Sequence, residues 1–104
     1  MNIARIWSAH ATRENWSAYE NHFAENVLPE LREIDGCVCA NLLKRDTGNE
    51  IEITVITMWE SWEAIEAFAG ADREVAVVAP NAAALLIDYD RRVRHMEVAL
   101  SDTR

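Results

Sequence analysis

The chain has 104 residues and a mass of 11.8 kDa, which is enough for one hydrophobic core, so we expect residues 1–104 to form a single domain. Half of the residues are hydrophobic and 27% are charged, an ordinary composition for a globular protein. Ten basic residues against eighteen acidic ones give a formal net charge of −8. An acidic surface repels phosphate backbones and anionic lipids, so nucleic-acid and membrane partners are disfavoured.

The start of the chain lacks a basic segment followed by a long apolar run, and no stretch approaches the length of a membrane span. These features favour a cytoplasmic protein. Cys37 and Cys39 are two residues apart, so in a strand they would point the same way, which suits a disulfide poorly. We therefore predict two small, buried and reduced cysteine side chains.

The first elements are a strand and a long helix. Residues 3–10 alternate in a strand pattern that places Ile3, Arg5, Trp7 and Ala9 on one face. Thr12 is a suitable N-cap for a helix over 13–33. Pro29 is expected to kink this helix or to split off its last turn. The apolar stripe of the helix has helical spacing and consists of Trp16, Tyr19, Phe23, Val27 and Leu31.

The middle of the chain predicts a hairpin and a second helix. Residues 37–45 and 50–59 are interpreted as strands joined by the polar turn 46–49. Ser61 caps a helix over 62–69, and Gly70 ends it. Over 72–87 we expect a helical turn at 73–78, a break at Pro80 and a short helix at 81–86. A last strand is predicted over 92–100.

The order of these elements is β-α-β-β-α-β, the ferredoxin-like arrangement of an α+β fold with a four-stranded antiparallel sheet. Two helices would cover one face of the sheet and leave the other bare. Apolar residues such as Ile6, Ile56 and Met58 alternate onto that bare face. Because a large wet apolar patch is unfavourable, the pattern predicts a homodimer that covers it.

The segment Trp59-Glu60-Ser61, directly after a β-branched strand and at the start of a helix, resembles the antibiotic biosynthesis monooxygenase (ABM) domain of the dimeric α+β-barrel superfamily. Further matching segments are Ile3-Ala4-Arg5-Ile6-Trp7, Arg45-Asp46-x-Gly48, Ala64-Ile65-x-Ala67-Phe68-Ala69-Gly70 and His95-x-Glu97-Val98. The resemblance implies a pair of sheets that form a dimeric α+β barrel, with a ligand cavity between the sheet and the helices of each subunit.

Members of this family oxidise phenolic polyketides without a metal or flavin, cleave haem, or bind and isomerise small molecules. The quinone-forming branch has a Trp at the position of Trp59, but its Asn and Tyr correspond to Val55 and Ile65 in this chain, and its Arg would fall near Ala79.

The haem-degrading branch has a Trp and a His at the positions of Phe68 and Val78, and an Asn at or beside Trp7. The resemblance therefore implies that haem cleavage by the known mechanism is unexpected.

Several large side chains are candidates for the wall of the implied cavity, with the alternative that they are simply core. The candidates are Trp59, Trp7, Phe68, Val55, Ile65, Tyr19 and Phe23. His95 and His22 are the candidate catalytic bases, since histidine suits proton removal near neutral pH. Each could instead be a structural residue: His95 at a barrel or dimer contact and His22 on a solvated flank.

We expect no cofactor and no metal. His22 with Glu25, or His95 with Glu97, offers only a pair of possible ligands.

Two functions stay open. One is a cofactor-independent monooxygenase that acts on a flat phenolic or polyketide-like molecule. The alternative is a non-catalytic, small-molecule-binding or structural homodimer of the same fold, in which a hydrophobic aromatic ligand is still possible.

Overall fold

Five antiparallel strands and a layer of helices form an α+β fold in the computed structural model, which describes residues 2–104. The strands are β1 (Ile3–Ala11), β2 (Cys37–Asp46), β3 (Ile51–Trp59), β4 (Leu86–Tyr89) and β5 (Arg94–Glu97). The helices are α1 (Arg13–His22), α2 (Leu28–Arg32), α3 (Trp62–Ala69) and α4 (Pro80–Ala83). The sheet order is β2-β3-β1-β4, and β5 also pairs with β1. The predicted ferredoxin-like class is confirmed.

Strands β1 and β3 form the centre of the sheet, and their alternation separates its two faces. Their register places Arg5 opposite Thr57 and Trp7 opposite Val55. Odd-numbered residues face the helices, and Ile3, Ile53 and Trp59 are completely buried there. Even-numbered residues of both strands are half-buried on the other face. The period of two in the sequence therefore predicted both faces correctly.

The long helix is interrupted by a π-helical turn, Phe23–Val27, which joins α1 to α2. Pro29 lacks an N–H group, and in a regular helix its ring would crowd the carbonyl group four residues earlier. In the wider turn, the N–H of Leu28 donates instead to the carbonyl of Phe23, five residues back. The split expected at Pro29 therefore takes the form of a π turn before it. Thr12 caps α1 as predicted, since its hydroxyl accepts from the N–H of Asn15 at 3.1 Å.

The hairpin and the second helix agree with prediction to within one residue. Strands β2 and β3 are antiparallel around the turn at 47–50, where Gly48 has a φ of 98°. The Ser61 hydroxyl accepts from the N–H of Ala64 at 3.1 Å and so caps α3. Gly70, with a φ of 92°, follows the helix.

The prediction for residues 72–100 was wrong in part. The chain is extended around Val75, which bridges to Arg92, where a helical turn at 73–78 was expected. The short helix expected at 81–86 is present as α4, which begins at Pro80 and ends at Ala83. Strand β4, Leu86–Tyr89, was not predicted, and β5 lies within the predicted 92–100 but is shorter.

The difference from the prediction arises because two short strands, and not one long strand, pair with the edge of β1 that β3 leaves free. Strand β4 pairs with its Ala9–Ala11 end, whereas β5 pairs with its Ile3–Ile6 end. Between β4 and β5 the chain leaves the sheet, and Val93 N–H donates to the carbonyl of Glu74 at 2.7 Å. These pairings join residues far apart in sequence, so local pattern does not reveal them.

The prediction for the cysteines was also wrong in part. A bulge between Cys37 and Cys39 places Cys37 opposite Trp59 and Cys39 opposite Met58. The two thiols therefore lie on different faces of the sheet, and Cys39 is exposed. Both are free, as expected.

One sheet face has no helices over it, and we call it the uncovered sheet face. Its apolar members are Ala4, Ile6, Leu43, Ile56, Met58 and Met96. Met96 is 58% exposed and Leu43 is 45% exposed. Within residues 2–104, no helix has the length and apolar character needed to cross a membrane.

Candidate functional site

A cavity with a volume of about 150 Å³ lies between the sheet and the helical layer. Strands β1 and β3 form its floor with Arg5, Trp7, Val55 and Thr57. The helical wall consists of Tyr19, His22, Phe23, Asn26, Val27, Glu30 and Leu31. The opposite wall consists of Phe68, Val77, Val78, Ala79, Ala82 and Val93. Exposed lining residues mark the mouth of the cavity, namely Asn26, Glu30, Val77 and Ala79.

The π-helical turn contributes to this wall. Phe23, Asn26 and Val27 belong to it, and His22 directly precedes it. The additional residue of a π turn changes which side chains a helix directs at its neighbours, and such turns are frequent at functional sites. Pro29 is thus linked to the shape of the cavity through the turn that accommodates it.

The floor contains a polar pair in apolar surroundings. Arg5 and Thr57 are 5% and 6% exposed, and they are the buried polar side chains among residues 2–104. They lie opposite each other on β1 and β3, and both line the cavity. Burying polar groups is costly unless they are paired, so their placement here needs specific partners.

Arg5 is held by three groups from the far end of the chain. Its Nη1 donates to the carbonyl of Arg73 and lies 3.1 Å from His95 Nε2, and its Nη2 donates to the carbonyl of Val75 at 2.8 Å. The guanidinium carbon is also 5.7 Å from the ring centre of Phe68. Burial lowers the pKa of Arg5 to about 10, so the side chain remains charged at neutral pH.

Thr57 is fixed by Trp59. The indole N–H of Trp59 donates to Thr57 Oγ1 at 2.8 Å. This contact occupies a lone pair of the hydroxyl oxygen and leaves its O–H free to donate. Trp59 thereby orients a group on the cavity floor without lining the cavity itself.

Trp59 and Ile65 were predicted to line the cavity, and the structure places both in the core instead. Each is completely buried, in a cluster with Ile3, Leu31 and Ala64. The reason is that the end of β3 lies beneath α3, where Trp59 packs against Phe68 with ring centres 5.6 Å apart.

The other predicted cavity residues do line it: Trp7, Tyr19, Phe23, Val55 and Phe68. Trp7 and Tyr19 stack with ring centres 6.4 Å apart, and the Trp7 indole N–H donates to the carbonyl of Asp90 at 2.8 Å. Burial raises the pKa of Tyr19 to about 12, which keeps its phenol protonated at neutral pH.

The two candidate bases are placed differently. His22 lines the cavity, and its Nδ1 lies 3.2 Å from Asn26 Nδ2. His95 does not line it: the ring packs edge-on against Trp62, and Nε2 faces Arg5. Burial, followed by the positive charge of Arg5, lowers the pKa of His95. The structure therefore does not bring the two histidines together.

Sequence reasoning did not single out Arg5 and Thr57 as site residues. One feature of the sequence could have identified them. Each is a polar residue at an odd-numbered position, where its neighbours on the same strand face are apolar and face the helices. Across residues 2–104, His, Cys, Asp and Glu side chains form no group of three or more that could hold a metal ion.

The family model for antibiotic biosynthesis monooxygenases matches residues 3–79 of this chain. The curated protein named "Uncharacterized protein Rv2558" from Mycobacterium tuberculosis H37Rv is 35% identical over 80 residues, which are 76% of this chain and 31% of that protein. The chain thus spans about a third of the length of the curated relatives that it matches.

Solved structures share the fold. The heme-degrader MhuD from M. tuberculosis, with two hemes bound in its active site, has a TM-score of 0.67 at 22% identity over 97% of this chain and 99% of that chain. A monooxygenase from the gene ActVA-Orf6 of Streptomyces coelicolor, in complex with Nanaomycin D, has a TM-score of 0.67 at 15% identity over 99% and 91% of the two chains. Identities this low show the fold alone.

Proposed function

Because the chain belongs to the antibiotic biosynthesis monooxygenase family, we propose that it binds a small, flat aromatic molecule in the cavity between its sheet and its helices. One observation carries this proposal: an aromatic and aliphatic cavity contains a single buried polar pair on its floor. Ligand sites commonly combine apolar walls with a few fixed polar groups that orient the ligand. Two proteins of the same fold bind small molecules, MhuD two hemes in its active site and the Streptomyces monooxygenase Nanaomycin D, and this supports a binding function for the fold.

The size of the cavity limits its ligand. Its volume of about 150 Å³ is similar to that of an engineered apolar cavity that admits benzene. One aromatic ring with small substituents therefore fits this conformation. A larger phenolic or polyketide-like molecule would require movement of the exposed residues at the mouth.

Oxygenation is the second candidate function, and His22 in the cavity wall favours it. In a cofactor-independent reaction, a base removes the phenol proton and the electron-rich anion reduces dioxygen. The overall change is phenol plus dioxygen to quinone plus water, with all four electrons supplied by the substrate. His22 would have to act as the base.

The contact of His22 with Asn26 opposes this role. When the Asn26 amide donates to Nδ1, the neutral ring carries its proton on Nε2 and has no free lone pair. The hydrogen bond from Asn26 would have to break, or the tautomer would have to change, before His22 could accept a proton. The observed arrangement therefore supports binding more strongly than catalysis.

A second copy of the chain is the proposed partner for the uncovered sheet face. Ile6, Ile56 and Met58 form an apolar centre there, with the more exposed Met96 beside Ala4. Pairing two such faces would bury these side chains without exposing new backbone groups.

A fluorescence titration tests the binding proposal, because Trp7 lines the cavity. Single-ring aromatics should quench the tryptophan emission with saturation. The variant Val55→Phe would fill the floor and should abolish the saturable signal. The matched control Val38→Phe changes an exposed residue away from the cavity and should bind as the parent does.

Oxygen uptake with quinols and anthrones separates the two functions. Consumption of dioxygen that is lost in His22→Gln would support oxygenation. Saturable quenching with no oxygen uptake would support binding alone, and no saturable quenching by any of the aromatics would contradict both proposals.

A further inference from the structure

Arg5 carries a buried positive charge without a carboxylate partner. Its hydrogen-bonding contacts are the carbonyls of Arg73 and Val75 and the ring of His95. Burial is the cause of its lowered pKa, and no acidic group acts to raise it. A buried charge without an opposite charge beside it is unfavourable, so the binding of an anion next to Arg5 would lower the free energy of the site.

The guanidinium retains donors for such an anion. Arginine has five N–H groups, and the contacts of Arg5 occupy both on Nη1 and one on Nη2. The N–H on Nε and the second one on Nη2 have no acceptor among residues 2–104. Among residues 2–104, every side-chain nitrogen that is fully shielded from solvent has a hydrogen-bond partner. Because Nε of Arg5 has no such partner, it cannot be fully shielded. The free Nε of Arg5 therefore reaches space that a water molecule can enter, and the cavity is the space that Arg5 lines.

The surroundings favour one anion in this position. Nε and Nη2 lie on the same side of a guanidinium, where a carboxylate accepts two parallel hydrogen bonds. Thr57, opposite Arg5, adds a hydroxyl whose lone pair is already occupied by Trp59 and whose O–H can donate. Glu30 is the acidic residue of the lining, and it lies exposed at the mouth.

We propose that the cavity selects a single-ring aromatic carboxylate, with the carboxylate held by Arg5 and Thr57 on the floor and the ring held by Trp7, Tyr19 and Phe68. This inference rests on the proposed binding function and specifies its ligand class. The volume of about 150 Å³ sets the limit of one ring. The hydrogen bonds to a charged group are the source of selectivity, since they are stronger than those between neutral groups.

Benzoate, benzamide and phenol are probes that separate charge from shape. Calorimetry at neutral pH should show benzoate binding at least tenfold more tightly than benzamide, which has nearly the same shape and no charge. Phenol tests whether a hydroxyl alone suffices, and it should also bind at least tenfold more weakly than benzoate. Equal affinities for the three compounds would overturn the carboxylate proposal while leaving the binding function intact. Failure of all of them to bind would contradict both.

Variants of the floor locate the selectivity. Arg5→Met keeps much of the side-chain length and removes the charge, so the preference for benzoate over benzamide should disappear. Thr57→Val removes one hydroxyl at constant shape and should reduce the preference only in part. If Arg5→Met does not fold, the ligand series on the unmodified chain still decides the proposal. An Arg5→Met protein that folds and keeps its preference for benzoate would overturn the assignment to Arg5.

Discussion

Trp59 donates its indole N–H to the hydroxyl of Thr57, two residues earlier on the same strand face, at 2.8 Å. The donor is completely buried in the core, whereas the acceptor lines the cavity. A core side chain thus determines the orientation of a polar group in the candidate site.

Trp59→Phe should mainly reduce stability. The substitution leaves a void and removes the hydrogen bond to Thr57, so the free energy of unfolding should fall by about 1–3 kcal/mol. Ligand affinity should change less than threefold, because Trp59 does not line the cavity. Urea unfolding and fluorescence titration of one variant measure both effects. Trp7→Phe is the matched control, since Trp7 does line the cavity and should lose more affinity than stability. The reverse order in the two variants would contradict this placement.

Gly36→Ala should be more destabilising than Gly48→Ala. Both glycines have positive φ angles, 95° and 98°, which cost an alanine about 1–2 kcal/mol. A Cβ on Gly36 would also lie 2.7 Å from Cβ of Ala64, whereas nothing lies within 4 Å at Gly48. We expect the overlap to add about 1–3 kcal/mol at Gly36. Chemical unfolding of the two variants in parallel measures the difference, and equal losses would be inconsistent with the close contact.

Met58→Asp should prevent association through the uncovered sheet face. Met58 lies in the apolar part of that face, and an unpaired carboxylate buried there costs several kcal/mol. Light scattering after size exclusion should give about twice the chain mass for the parent and the single-chain mass for the variant. Ala67→Asp, on the exposed side of α3, should behave as the parent does. A parent that is monomeric at micromolar concentration would rule out the proposed pairing.

His10 should make stability depend on pH. The hydrogen bond that His10 Nδ1 donates to Asp88 Oδ1 at 2.6 Å, aided by the charges of Asp88, Glu50 and Glu52, raises the pKa of His10 despite some desolvation. Because the folded-state pKa is the higher one, the stabilisation is fully present below about pH 6.5 and is lost as the pH rises through the folded-state pKa. Urea unfolding at a series of pH values should show this loss of stability with rising pH, and His10→Gln should remove the part of the pH dependence that His10 contributes.

His95 provides a control of opposite sign for that experiment. Its folded-state pKa is lowered, first by burial and then by the charge of Arg5. Its contribution is therefore present above about pH 6.5 and is lost as the pH falls through the folded-state pKa. A His95→Gln variant should be relatively more stable than the parent at low pH, and identical pH profiles for both histidine variants would contradict the two assignments.

Haem should not bind stoichiometrically. The haem-degrading branch of the family has Trp and His at the positions of Phe68 and Val78, and a cavity of about 150 Å³ fits one ring better than a tetrapyrrole. A haem titration should give no saturable Soret shift, and added ascorbate should give no ring-cleaved product. MhuD serves as the positive control. Tight binding of one equivalent of haem would show that Phe68 and Val78 do not correspond to the Trp and His of the haem-degrading branch.

The sequence predicted those parts of the fold that local patterns determine. Alternation identified β1 and β3, and side chains that form local hydrogen bonds identified the caps at Thr12 and Ser61. The conformation of the apolar run at 75–78 is not set by local sequence. Val75 is extended because it forms a β-bridge with Arg92, which is distant in sequence. Such pairings depend on sheet edges that only the assembled fold creates.

The candidate site was predictable to a similar extent. The apolar stripe of the first helix correctly indicated Tyr19 and Phe23, because an aromatic side chain that faces the sheet either packs in the core or lines the cavity. Periodicity alone could not separate Trp59, which meets core, from Trp7, which meets the cavity. That distinction depends on where α3 lies over the end of β3. The π turn was likewise beyond local pattern, although Pro29 marked its position.

The strict alternation along β1 and β3 has an evolutionary consequence. Odd-numbered positions reach the cavity or the core beneath the helices, and even-numbered positions reach the uncovered sheet face. Substitutions such as those at Val55 and Ile56 therefore affect different surfaces although the residues are neighbours in sequence. The proposed ligand preference and the proposed self-association can therefore diverge independently by point mutation. A one-residue insertion in either strand, by contrast, would exchange the two sets of side chains and alter both properties at once.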